Sequence, residues 1–130
     1  MTNDYWKPVV KFLYFGHYRN MKMETAIDAL ASLAQESRMT IFRLLVREEP
    51  KGLSVGEISR RLNIVTSTLS GHLSVLKRSG LAKSTRHSTE IHYSANLDAM
   101  GELVRFMLED CCNGKVENCD DIARIVGKAS

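Results

Sequence analysis

Two short helical segments separated by three or four residues, with a pair of β-rich runs directly after them, constrain this 130-residue chain more than any other feature. Residues 54–80 read SVGEISRRLNIVTSTLSGHLSVLKRSG. Ser54 and Glu57 have the spacing of a capping box, in which hydroxyl and carboxylate satisfy the free amides of a helix start. That helix runs to about Leu62, where Asn63 suits the left-handed turn that ends it. Thr66 to Ser79 then carries Leu69, His72, Leu73 and Leu76 on its inner side, with Gly80 as the stop.

Two helices joined in this way make a helix-turn-helix, whose second helix lies in the DNA major groove with its first residues at the base edges. Here those residues are Thr66, Ser67, Thr68 and Ser70, short hydroxyl side chains able to bond phosphates or bases. Serine and threonine also cap helices without touching DNA, so the flanking sequence has to decide. Residues 81–95, LAKSTRHSTEIHYSA, predict a β-hairpin around a polar turn at His87, Ser88 and Thr89. Ile91 and Tyr93 would pack this hairpin on the core, with His92 between them as a surface or partly packed residue. Lys83, Arg86 and His87 then stand where a wing meets the DNA backbone or minor groove.

Charge follows the same division. Between Arg60 and His92 the basic residues Arg60, Arg61, Lys77, Arg78, Lys83 and Arg86 face Glu90 alone. From Leu97 to Asp121 seven acids outnumber Arg105 and Lys115. The middle of the chain attracts phosphate and the end repels it.

Upstream, Ile27, Leu30, Leu33 and Ala34 share one helical face, and Ile41, Leu44 and Leu45 another, which predicts two core helices opening the domain. The length supports one domain with one core. No apolar run approaches the roughly 18 residues of a membrane span, and Lys11 interrupts the only signal-like stretch, VVKFLYF. Three cysteines, two of them adjacent, argue for reduced thiols rather than a disulfide framework, and hence for a cytoplasmic protein.

The segments ALASLAQESRMTIFRLLV and GLSVGEISRRLNIVTSTLSGHLSVLKRSGLAKSTRHSTEIHYS resemble the ArsR/SmtB family of metal-responsive repressors over roughly residues 24–119. The resemblance implies a mainly α winged helix-turn-helix with a small β-hairpin wing. It also implies a homodimer joined through its first and last helices, with two recognition helices in successive major grooves of operator DNA. Ser67, Thr68, Ser70 and His72 fall at the family's DNA-facing and supporting positions. Two departures stand out: Val65 replaces a common serine cap, so that Thr66 is expected to take over, and Gly71 replaces a frequent arginine. Part of the affinity is then expected from Arg60, Arg61, Lys77 and the wing.

Family members place sensor sites in different parts of one scaffold. A cysteine site on the first helix of the motif is absent, because Ser54 and Gly56 occupy the ligand positions, and residues 97–110 lack the histidine of a zinc site. What remains is DCCNGKVENC at 110–119, which resembles the C-terminal cysteine cluster of an arsenite-responsive branch. The chemistry agrees independently: trivalent arsenic or antimony forms three pyramidal bonds to soft sulfur, and Cys111, Cys112 and Cys119 supply three thiols. Asn113 and Gly114 permit the reversal that brings Cys119 back. Zinc would usually want a fourth ligand. Other thiophilic metals, a redox or persulfide switch, and ordinary buried cysteines stay open. No organic cofactor is expected.

Leu97 to Leu108 predicts an amphipathic helix offering Leu97, Met100, Leu103, Val104, Met107 and Leu108 to a partner chain, with the thiols just beyond its last turn. Residues 23–113 are expected to form the DNA-binding and dimerisation domain, and 114–130 a tail carrying the third cysteine. The first twenty residues lack the helical pattern and end just before Met21 and Met23, either of which could be the true start, so residues 1–22 are an uncertain extension for which an over-extended gene model is preferred over a genuine arm. An enzyme is not expected: the Cys-x5-Arg oxyanion loop of cysteine-dependent reductases and phosphatases fails by one position, since Ile125 stands where arginine is required and Arg124 precedes it. Walker and dinucleotide-binding fingerprints are also missing.

Overall fold

The computed structural model describes residues 21–109 and residue 120. Residues 23–97 form one compact unit, and the last described helix belongs, from Asp98 onward, to a second. The first unit runs α1 (Met23–Leu33), α2 (Glu36–Arg47), β1 (Leu53–Ser54), α3 (Val55–Leu62), α4 (Thr66–Arg78), β2 (Ala82–His87) and β3 (Glu90–Ala95). This is a winged helix-turn-helix. Its antiparallel sheet has the order β1-β3-β2, with Leu53 opposite Tyr93 and Ala82 opposite Ala95.

Ile41 and Leu45 of α2, Ile58 of α3, and Leu69, Leu73 and Leu76 of α4 meet with Leu81 in a fully buried core. Each such side chain contributes about 1.5–3 kcal/mol by leaving water. Because Leu69, Leu73 and Leu76 share one face of α4, the opposite face is left to solvent.

Helix α1 departs from the expected arrangement. It buries Ala26, Ala29, Ser32 and Leu33, while Ile27 is 56% exposed, Leu30 is 41% exposed and Ala34 is also outside. Small residues with Leu33 form the inward face; of the stripe expected in the core only Leu33 is there, and Ile27, Leu30 and Ala34 point outward.

Local signals place the helix-turn-helix accurately. The Glu57 amide donates to Ser54 Oγ at 3.2 Å. The reciprocal half of the expected box differs, because the Ser54 hydroxyl, and not its backbone amide, meets Glu57 Oε1 at 3.4 Å. Asn63 is left-handed, with φ 53° and ψ 47°. The Ser59 hydroxyl donates to the Ile64 carbonyl at 2.6 Å, and the Ile64 amide returns a bond to the Ser59 carbonyl at 3.2 Å, so the turn is braced from both sides.

The strand β1 was not foreseen; two residues are too few to show an alternation. Its approach depends on Gly52, whose φ is +72° and whose absent Cβ would lie 2.6 Å from the Tyr93 carbonyl oxygen. The hairpin turn is also tighter than expected. His87 and Glu90 are paired strand residues, and only Ser88, at φ 59°, and Thr89 form the bend. Ile91 does not pack on the core, being largely exposed, whereas Tyr93 is half-buried and Ala95 fully buried. His92 is partly packed, its ring centroid 4.4 Å from that of His87.

Recognition helix and wing are joined at their bases. Asn96 is buried, its amide donating to the Leu81 carbonyl at 2.8 Å and its Nδ2 to the Gly80 carbonyl at 2.9 Å. The end of α4 is thereby held to the end of β3.

Helix α5 (Leu97–Leu108) buries Ala99, Glu102 and Leu103. Leu103 therefore has no surface to offer a partner, contrary to expectation. Leu97, Met100, Val104 and Leu108 are half-buried and Met107 is exposed. Both Glu102 carboxylate oxygens are buried without a hydrogen bond among the described residues. Burial pushes the Glu102 carboxyl above the usual carboxylate range, with Arg105, 3.7 Å away, opposing and Glu109 adding to the shift. No helix among the described residues is long and apolar enough to cross a membrane.

Candidate nucleic-acid interface

At the start of α4, Thr66, Ser67, Thr68 and Ser70 are all exposed, and His72 is half-buried at the edge of the core. Spacing by three and four residues lines Ser67, Ser70, Gly71, Ser74 and Lys77 along the outer face, and all five are exposed. A Cβ at Gly71 would meet nothing within 4 Å. The stripe is thus narrow and free of bulky groups over its first three turns, with a cation at its end. Ser74 was not singled out from the sequence, although it lies two turns from Ser67.

The expected cap at Thr66 is not formed. Thr66 is the first helical residue, and the N-cap is Val65, whose side chain makes no capping hydrogen bond. The first amides of α4 consequently have no side-chain acceptor from the cap residue. Such amides, with the positive end of the helix dipole, favour a phosphate oxygen.

Around the helix start the cations are not equivalent. Arg60 is exposed and has no carboxylate partner among the described residues. Arg61 is already engaged: its guanidinium lies 2.6 Å from Glu48 Oε1 and 3.9 Å from Glu57 Oε2. On the wing, strand alternation sends Lys83 and His87 to one face and Arg86 to the other, all three exposed. Arg86 Nε donates to the Ser88 carbonyl at 3.3 Å, and His87 Nε2 lies 3.1 Å from Thr85 Oγ1. Between Glu57 and Glu90 the chain has no carboxylate at all, so α4 and β2 present a surface without negative side chains. Hydroxyls, open amides and unopposed cations on one helix-turn-helix and wing suit a polyanion.

Cys111, Cys112 and Cys119 lie outside the described residues. Among the described residues, no group of three histidine, cysteine, aspartate or glutamate side chains is placed to hold a metal ion.

Comparison with known proteins agrees with the helix-turn-helix fold. A family model described as a helix-turn-helix domain matches residues 33–85. The chain is 38% identical over 82 residues to the transcriptional activator HlyU of Vibrio cholerae, covering 61% of this chain and 73% of that protein. An ArsR-like transcriptional regulator from Rhodococcus sp. RHA1 superimposes with a TM-score of 0.60 at 27% identity, over 66% of this chain and 77% of the other. Reduced HlyU from Vibrio cholerae superimposes with a TM-score of 0.52 at 33% identity, over 68% and 90% respectively.

Proposed function

Because the chain belongs to the ArsR-like family of winged helix-turn-helix transcription regulators, DNA binding is its working chemistry, and we propose that it is a homodimeric repressor released from its operator by As(III) or Sb(III). The observation carrying the DNA half is the exposed, uncapped start of α4 beside strand β2, neither of which carries a carboxylate. Thr66, Ser67, Thr68 and Ser70 approach base edges and phosphates, and His72 supports the helix from its inner edge. Arg60, Lys77, Lys83, Arg86 and His87 contact the backbone, and Arg61 joins them only by leaving Glu48.

The donor set supports the inducer half. Three soft thiols at Cys111, Cys112 and Cys119 match the three bonds that trivalent arsenic or antimony makes to sulfur. Cys111 follows the end of α5 by three residues, so ordering the thiols around one centre would act on that helix. The exposed stripe of Met23, Ile27 and Leu30 on α1 supplies apolar surface for a second protomer. A changed relation between protomers would move two recognition helices out of register with their half-sites. The coupling is reciprocal: DNA weakens metalloid binding by the factor by which metalloid weakens DNA binding.

A redox or persulfide switch on the same cysteines is the second reading, favoured by a relative whose structure is described as its reduced form. One experiment separates the two. The reduced full chain is titrated onto DNA from its own promoter at fixed salt, with arsenite, zinc, or a persulfide donor. Release by arsenite alone supports the first reading and release by the persulfide donor the second. Binding unmoved by all three removes the sensor and leaves the DNA-binding regulator. A promoter reporter gives the sign of regulation, and activation by the metalloid-free protein would overturn repression.

A further inference from the structure

Val65 is the most exposed large apolar side chain of the described residues, at 70%. Its position is unusual on two counts. It occupies the N-cap of α4, where Ser, Thr, Asp or Asn would bond a free amide and valine cannot. It also stands on a braced turn. Asn63 holds the left-handed corner, Ser59 clamps Ile64 through two hydrogen bonds, and the Val65 carbonyl accepts from the Leu69 amide at 2.9 Å. The isopropyl group is therefore presented rigidly, at the leading end of the helix, beside the small hydroxyls of Thr66, Ser67 and Thr68.

Neither the missing cap nor the wetted apolar surface stabilises the free protein. Both become useful against a partner with an apolar group at the bottom of a polar groove. On the edges of bases in the major groove that group is the 5-methyl of thymine. Resting on the reading of α4 as the groove-facing helix, we propose that Val65 is a base-reading residue that contacts a thymine methyl and so sets part of the operator sequence. The hydroxyl residues beside it hydrogen-bond in more than one way and discriminate weakly, whereas an apolar branch beside a methyl favours thymine over the other three bases.

The test uses the full chain and needs no known operator. Duplexes are enriched from a randomised library, and each thymine of the enriched site is replaced in turn by uracil, which removes only the methyl. Burial of one methyl predicts a loss of about threefold to tenfold at one or more positions for the wild type. Val65→Ser, which restores an ordinary cap and leaves the core untouched, is expected to fold, to bind, and to be indifferent to the same replacement. Uracil tolerated at every position, or a Val65→Ser protein that keeps the sensitivity, overturns the Val65 assignment alone. Failure to enrich any duplex overturns the DNA-binding reading and this assignment together. A role for Val65 confined to folding would alter stability without touching the difference between thymine and uracil.

Discussion

The Ser79 hydroxyl lies 3.0 Å from Ser32 Oγ, joining the end of the recognition helix to the first helix across 47 positions of sequence. Ser32 is buried, and its own hydroxyl donates to the Ala29 carbonyl at 2.7 Å. Ser79 has a second acceptor within reach in the Leu76 carbonyl, also at 3.0 Å. Ser32→Ala should therefore cost about 1 kcal/mol, and Ser79→Ala less. A double-mutant cycle read by urea unfolding should return a coupling of about 0.5–1 kcal/mol; strictly additive losses would show that the contact links the helices only geometrically.

Gly52 tolerates no side chain. Its left-handed backbone alone would cost alanine about 1–3 kcal/mol, and the Cβ would press on the Tyr93 carbonyl at 2.6 Å. Gly52→Ala should lower the unfolding midpoint sharply, whereas Gly56→Ala, with only Ser54 Oγ at 4.0 Å, should not.

At Gly71 the expectation reverses. The space is open, and replacing glycine inside a helix gains about 0.8 kcal/mol. Gly71→Arg should raise stability by that order. It should also tighten DNA binding with a salt dependence steeper by about one unit of log-log slope. A more stable variant with unchanged DNA affinity would place this face of α4 away from the duplex.

Glu102 gives stability a pH dependence of known sign. Its carboxyl titrates above its unfolded value because burial disfavours the charge, Arg105 only partly offsetting this and Glu109 adding to it. The native state then holds its proton more tightly than the unfolded chain. The stabilisation is complete below the unfolded carboxyl's range and is lost as pH rises through the folded one. Glu102→Gln should thus gain on the wild type as pH is raised from 5 to 8 in thermal melts. A constant difference between the two proteins would show that Glu102 is no more desolvated folded than unfolded.

Much of the helix-turn-helix was legible because its signals are local. Ser54 as the cap of α3, Asn63, Gly80 and the spacing of Leu69, Leu73 and Leu76 act within one or two turns of chain, and each is found where its chemistry predicts, only the return bond from Glu57 differing. What failed depends on neighbours distant in sequence. Periodicity shows that Ile27 and Leu30 share a face but not whether core or another surface covers it. Strand β1 exists because β3 lies beside it, not because Leu53 and Ser54 have a strong strand preference of their own. Ile91 alternates correctly yet sits near the tip of a hairpin that has outrun the core. Thr66 fails as a cap for a smaller reason: the helix begins one residue earlier than its hydroxyl would need.

Asn96 has a mechanical consequence. By bonding Gly80 and Leu81 with its side chain and backbone, it removes the hinge that would otherwise lie between α4 and the hairpin. Helix α4 and the hairpin then pivot as a single lever. On the DNA complex proposed above, the wing would then not stay seated while the helix lifts. Dissociation from DNA should accordingly follow one exponential, and loosening the lever with Asn96→Ala should split it into two.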